Sequence, residues 1–498
     1  MESPRSNGEA RVACHAPQIN ICDTMRVDLL QPKKATNETV LSLLSNLNRR
    51  TMAELLRLAL PMVVSQGTFA VMIFTDRYFM SQIDPVHMAA ALGGGVASFF
   101  SFCFFVGLFS YANAMAAQYL GAGEREKCPK VVTQGMVMTV MSAPFLTLIT
   151  FLVAGVFEGM GHEPEQVELE RTYYLILMSG VLFTLAKTCI SSYFAGIGRT
   201  HVVMICDLFG LIINVPLSYV MVFGKLGFPE LGIVGAGIST VVSTLLAFGL
   251  FAAFYFHKEH REKFSVQQSF SLDVKILRRF WRLGFPSGLE LFLNVAAFNL
   301  FLLMFQSYGI PEGAAAAIVF NWDILSFVPM IGLNVGVISM IGRFVGARDM
   351  ARADEVMTAG FVVGLAYSAV LAVAYITFRY PMVDVFAPPS GDFTAIRELS
   401  AFMMIGLSSY VMADAIILVS GGVLRGAGDT RWLMVASVSL HWAMLVAQFF
   451  IIRVFVLSPR VSWLALVALV FAIALVYALR LKSGRWRDPD ALERVMAE

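Results

Sequence analysis

Among the ionisable residues inside long apolar runs of this 498-residue chain, six stand out: Asp76, Lys187, Asp207, Glu290, Asp323 and Asp414. A charged side chain in hydrocarbon is costly, and where one is kept it usually lines an ion or substrate path. Carboxylates in such places suit proton uptake and release, because removal from water disfavours the charged form. Glu290 and Asp414 are the sharper pair. Glu290 lies one turn beyond Pro286, and Asp414 lies about 16 Å before Arg425 along a helix, near the middle of a bilayer. Each is read as a proton-coupling group, the competing reading being a structural hydrogen-bonding role. Asp76 is followed by Arg77, so an internal ion pair competes there. Lys187 either reaches toward an interface or pairs with a carboxylate. Asp207 and Asp323 complete the set, Asp207 close enough to one end of its run to be wetted.

One glycine-rich stretch, SGGVLRGAGDTRW (420–432), also invites a chemical reading. Phosphate-cradling loops follow a strand, open a helix and carry Lys-Ser/Thr after the last glycine. This stretch has no such lysine and joins two apolar runs. It reads instead as a helix end stopped by glycines, with Arg425, Asp429 and Arg431 meeting water and lipid head groups.

The elements that must position these residues follow from composition. Apolar residues make up 57% of the chain and charged ones 14%, against about 25% charged in soluble proteins. The net charge of +2 argues against nucleic-acid binding, which needs a concentrated basic face. Twelve apolar runs are long enough to cross roughly 30 Å of hydrocarbon: 55–80, 88–119, 132–157, 172–195, 203–224, 232–256, 283–308, 313–342, 358–380, 396–424, 433–456 and 461–480. Inside lipid every backbone polar group must be satisfied within its own segment, so these runs are helices. Most of the 37 Lys and Arg fall in the amino-terminal segment, the connections leaving even-numbered spans, and the carboxy-terminal tail. The connection between spans 3 and 4 is acidic, with Glu158, Glu163, Glu165, Glu168 and Glu170. The positive-inside rule then places both termini in the cytoplasm. Residues 1–48 read as a flexible cytoplasmic arm. The six cysteines, including Cys14 and Cys22, show no paired spacing, so neither a disulfide framework nor a metal site is expected.

The chain also repeats itself. RLALP (57–61) matches RLGFP (282–286), QYLGA (118–122) matches RFVGA (343–347), and FAGIGRT (194–200) matches LRGAGDT (424–430), in one order and at a nearly constant offset. The expected fold is therefore an all-α polytopic membrane protein, with twelve transmembrane helices in two parallel six-helix repeats. Its parts are an arm at 1–48, bundles at 49–256 and 283–482, a basic linker at 257–282 and a tail at 483–498. Parallel repeats are an architecture of secondary transporters, with the substrate path between the halves.

These motifs resemble the multidrug and toxic compound extrusion (MATE) transporters over about residues 50–482. The residues carrying the resemblance are ELLRLALP (54–61), IFTDRYF around Asp76, AAQYLGAG (116–123), AGIGRT with NVPLSY (214–219), GIVGAGIST (232–240), GFPSG (284–288) and GVLRGAGDT (422–430). The resemblance implies a cell-membrane antiporter, working as a monomer, that exports small organic compounds of cationic or amphipathic character against protons or sodium ions. It implies no cofactor, no ATP site and no catalysis. Carried over residue by residue, Asp414 matches the family's acid in span 10, and Asp76, Asn214 and Thr240 match cation-associated positions. Ser218 stands where a second acid is expected, which removes a hard anionic oxygen that sodium favours and tilts the reading to protons. In span 7 the family's acid position holds Asn294, and Glu290, one turn earlier on nearly the same face, is the candidate to replace it. Lys187 and Asp323 remain possible pathway groups. Two rival readings stand beside the antiporter. A lipid-linked saccharide flippase would line its cavity with several cations, for which Lys187 and Arg77 are the main candidates. A membrane-embedded enzyme needs clustered acids or a His-based metal motif, and the seven histidines are dispersed.

Overall fold

The computed structural model describes residues 48–159, 161–388 and 393–496. The arm expected at 1–48, with Cys14 and Cys22, lies outside the described residues except for Asn48. That residue caps the first helix by accepting a hydrogen bond from the Arg50 amide.

Among the described residues the structure is helical throughout, with no strand. Helix α1 spans Arg49–Ser81, α2 Pro85–Ser110, α3 Ala112–Gly121, α4 Lys127–Val156, α5 Pro164–Ser179, α6 Val181–Gly196, α7 Thr200–Val222 and α8 Gly232–Phe256. A short α9 (Lys258–Phe264) leads to α10 (Val274–Gln306), α11 (Ile310–Gly346), α12 (Met350–Thr377), the short α13 (Arg379–Asp384), α14 (Thr394–Ala427), α15 (Thr430–Phe449), α16 (Pro459–Lys482) and α17 (Pro489–Met496). Eleven of these segments, α2 and α3 counting as one, are long and apolar enough to cross a membrane; the number is twelve if α5 and α6 form one span bent by 49°. Large apolar side chains such as Phe74, Phe151 and Val370 stand exposed on the outer surface, as a lipid-facing belt requires.

Local chemistry sets the helix ends. The side chains of Asp84, Asp273 and Asp349 each accept an amide hydrogen bond at a helix start, satisfying an otherwise orphaned donor. Helix α14 stops at Gly428, whose φ of 87° is the left-handed conformation that glycine adopts freely. The SGGVLRGAGDTRW stretch is thus a helix end, as its glycines suggested. Pro61, Pro144, Pro216, Pro286 and Pro329 all sit inside continuous helices. The sharp bend comes instead at Gly180, between α5 and α6, where a Cβ would stand 2.8 Å from Val241.

Packing in the first six spans has a counterpart in the second six. Helix α1 packs on α7 as α10 packs on α15, α2 packs on α5 as α11 packs on α14, and α7 packs on α8 as α15 packs on α16. The two sets meet through α1 with α11, and through α2 with α10. Their closest approach is a reciprocal crossing of α3 and α11. A Cβ on Gly121 would stand 1.8 Å from the Arg343 carbonyl oxygen, and one on Gly346 would stand 2.0 Å from that of Gln118. Only glycine allows backbones so near. Around this crossing the buried Gln118 donates to the Gly426 carbonyl at 2.8 Å and accepts from Arg279 at 2.6 Å. Cys103, Cys128, Cys189 and Cys206 are buried free thiols.

Candidate functional site

Four of the sequence-predicted residues come together on three helices. Asp76 of α1 is buried, and its two carboxylate oxygens accept hydrogen bonds from Ser218 of α7 at 3.2 Å and from Thr240 of α8 at 3.1 Å. Asn214, one turn before Ser218, donates to the Thr240 hydroxyl at 3.3 Å, and its own carbonyl oxygen has no protein partner. The arrangement follows from helical spacing: Asn214 and Ser218 fall on the same face of α7, and that face packs on α1. Among the described residues no ion pair includes Asp76, so the Arg77 pairing weighed from sequence does not form. A carboxylate held by hydroxyls alone, with no cation beside it, remains available to a mobile cation or proton.

In the second set of spans, Asp323 of α11 and Asp414 of α14 lie near enough for their charges to repel each other, with the Tyr410 hydroxyl beside Asp323. Both acids are half-buried, and no described ion pair includes either. Two like charges in one desolvated site are costly to keep together.

Glu290 has a different setting. It is buried and accepts from Arg425 of α14 at 2.8 Å, while its second oxygen lacks a partner. Arg425, read from sequence as facing water and head groups, therefore turns inward to neutralise a buried acid. Its neighbour Asp429 pairs with Arg480 at 2.7 Å. Asn294 donates to Ser437 of α15 at 2.7 Å, and its own carbonyl oxygen has no protein partner. Lys187 of α6 pairs with Asp207 of α7 at 2.9 Å, and Ser65 of α1 donates to the other Asp207 oxygen. Of the two readings offered for Lys187, the paired one holds; Asp207 is engaged and not simply wetted.

Three participants escaped the sequence reading: Ser65, Tyr410 and Ser437. A hydroxyl in an apolar run is common, and only helix-to-helix register reveals which carboxylate or amide it meets. An apolar groove lined by Met136, Val140, Ile190, Phe248 and Phe256 contains none of these residues.

The family model described as MatE matches residues 61–220 and 286–449. The chain is 25% identical over 440 residues to the multidrug resistance protein NorM of Photobacterium profundum, covering 87% of this chain and 96% of that protein. Among solved structures, a MOP superfamily transporter from Pyrococcus furiosus superposes with a TM-score of 0.80 at 17% identity, covering 88% of this chain and 97% of the other. The eukaryotic MATE transporter AtDTX14 gives 0.77 at 18% identity, covering 90% and 99%. At such identities the two superpositions carry the fold alone.

Proposed function

The chain belongs to the MATE family and is a multi-pass membrane protein, and on that premise we propose that it is a secondary active antiporter. It exports small organic compounds, cationic or amphipathic, in exchange for an inward flow of protons. It sits in the cell membrane with both termini in the cytoplasm. Residues 49–256 and 283–482 act as two six-helix bodies joined by 257–282, flanked by the arm at 1–48 and the tail at 483–498. The duplicated packing pattern supports that division. The two bodies rock about their contact, opening the substrate path alternately to either side.

The observation that carries the reading is the buried Asp76 carboxylate, bridged to α7 and α8 by hydroxyls and in no ion pair among the described residues. A proton arriving from outside neutralises it, which weakens its hold on Ser218 and Thr240 and loosens α1 against α7 and α8. The Asp323–Asp414 dyad offers a second proton position in the other body. Glu290 and Asn294, both engaged in side-chain contacts, act at the same level as Arg425 and Ser437. Sodium is the competing coupling ion, because Asn214 retains a free oxygen near Asp76; Ser218 in place of a second acid favours the proton.

The flippase reading loses its support at the cations it needs. Of the two cations named for it, Lys187 is neutralised by Asp207, and Arg77 alone is little positive charge for a pyrophosphate. The test is transport of a cationic dye into proteoliposomes under an imposed proton or sodium gradient. Dye movement driven by protons is the expected result. Movement driven only by sodium overturns the choice of ion, and movement under neither gradient overturns antiport.

A further inference from the structure

The contact among Ser65, Lys187 and Asp207 has no part in the coupling scheme above, yet its placement is ordered. On α1, Ser65 and Asp76 stand three turns apart on one face; on α7, Asp207 and Ser218 do the same. The packed pair of helices therefore presents two polar levels about 16 Å apart. One level holds Asp76 with Ser218 and Thr240, and the other holds Asp207 with Ser65 and Lys187. Asn214 lies on the same face between them, its carbonyl oxygen unpartnered in the protein.

The second level recurs in the other set of six spans. The offset that lays RLALP on RLGFP carries Ser65 to Glu290, and the offset that lays FAGIGRT on LRGAGDT carries Asp207 to Ser437. Each set thus places one carboxylate and one hydroxyl at these equivalent positions of its first and fifth spans, with the acid exchanged between the two helices. Each also brings a cation from its fourth span, Lys187 to Asp207 at 2.9 Å and Arg425 to Glu290 at 2.8 Å. The two cations come from non-equivalent positions. What persists is a charge-compensated carboxylate at one depth, which is harder to explain by a single inherited helix contact than by a chemical need at that depth.

We infer that Asp207, held as an anion by Lys187 and Ser65, is the inner proton station of the first six spans. The inference rests on the proton-antiport reading above. A proton leaving the Asp76 carboxyl passes by way of water along the Asn214 face and is taken up by the Asp207 carboxylate. Asp207 then returns it to cytoplasmic water, so over a cycle in which Asp76 first takes the proton from outside, one proton crosses and both groups end as the carboxylates they began as. The groups facing Asp207 are the Lys187 ammonium from α6 and the Ser65 hydroxyl from α1, with the Cys206 thiol beside it on its own helix. The role of Lys187 is to offset the cost of placing an anion at this depth.

A merely structural ion pair predicts different behaviour, because replacing both charges by neutral groups of similar size then restores function. The test compares wild type, D207N, D207E and D207N/K187M in proteoliposomes loaded with a cationic dye. Two readouts are taken, dye accumulation driven by an imposed pH gradient and dye exchange without a gradient. The double variant is expected to exchange dye at wild-type rate within a factor of about two, yet to lose proton-driven accumulation by at least about tenfold, as expected for removal of a proton-transfer group. D207E, which keeps the carboxylate, is expected to retain coupling. Restored proton-driven accumulation in D207N/K187M, or equal loss of coupling in D207E and D207N, overturns the assignment. A wild-type protein that ignores the proton gradient overturns the antiport reading on which it stands, and is distinguished by failing before any variant is compared.

Discussion

Replacing Gly121 by alanine tests whether the crossing of α3 and α11 holds this end of the molecule closed. The added Cβ would stand 1.8 Å from the Arg343 carbonyl oxygen, 2.7 Å from its carbon and 3.0 Å from the Ala347 nitrogen. A carbon meets an oxygen comfortably at about 3.3 Å, so the two helices must part by about 1.5 Å. All three obstructing atoms are backbone, and no side-chain rotation relieves the clash. Overpacking a tight contact costs roughly 1–3 kcal/mol, and an unyielding backbone places G121A near the upper end. Parting the helices also strains the Gln118 bond to Gly426, now 2.8 Å. Thermal unfolding in detergent is expected to show the loss, and a cysteine placed beside the crossing is expected to react faster with an impermeant thiol reagent. Gly155, in whose place a Cβ would meet nothing within 4 Å, supplies the control variant G155A. If G121A unfolds and labels like G155A, the crossing does not govern closure.

Removing one partner of the Glu290–Arg425 pair strands a buried charge. R425M is expected to cost about 3 kcal/mol, and E290Q/R425M to recover most of it, measured as unfolding midpoints; equal midpoints for R425M and wild type would refute the pairing. T240V deletes both the donor to Asp76 and the acceptor for Asn214. It is expected to impair gradient-driven dye transport more than dye exchange, and equal impairment of both would argue against a coupling role. In the short α9, His260 is fully buried against Tyr193 and Phe264, and burial pushes its pKa down from 6.5 to about 4. The native state therefore binds fewer protons than the unfolded one. This contribution to stability is intact above about pH 6.5 and is lost as pH falls toward 4. H260F is expected to flatten the unfolding midpoint over that window; an unchanged pH dependence would contradict the assignment.

Much of this was legible from the chain itself. The number and course of the spans followed from apolar length, and the duplication followed from short matches such as QYLGA with RFVGA, whose glycines meet at the α3–α11 crossing. Asp76, Asn214, Ser218 and Thr240 were each visible as polar groups in apolar runs, and helical spacing explains why they converge. The partners of the remaining charges were not legible. Arg425 and Glu290 are far apart in sequence, and only the packing of α10 near α14 brings them to 2.8 Å. The same holds for Lys187 and Asp207 on α6 and α7. The break at Gly180 was also hidden, because the run containing it is as apolar as its neighbours.

The central claim is that protonation of carboxylates that no described ion pair neutralises, Asp76 in one set of spans and Asp414 beside Asp323 in the other, drives export. The most direct measurement is dye movement in proteoliposomes under an imposed proton gradient, for wild type, D76N and D414N side by side. Wild type is expected to accumulate dye, while each variant loses gradient-driven accumulation and still exchanges dye across the membrane. Proton-driven accumulation that persists unchanged in both D76N and D414N would contradict the account.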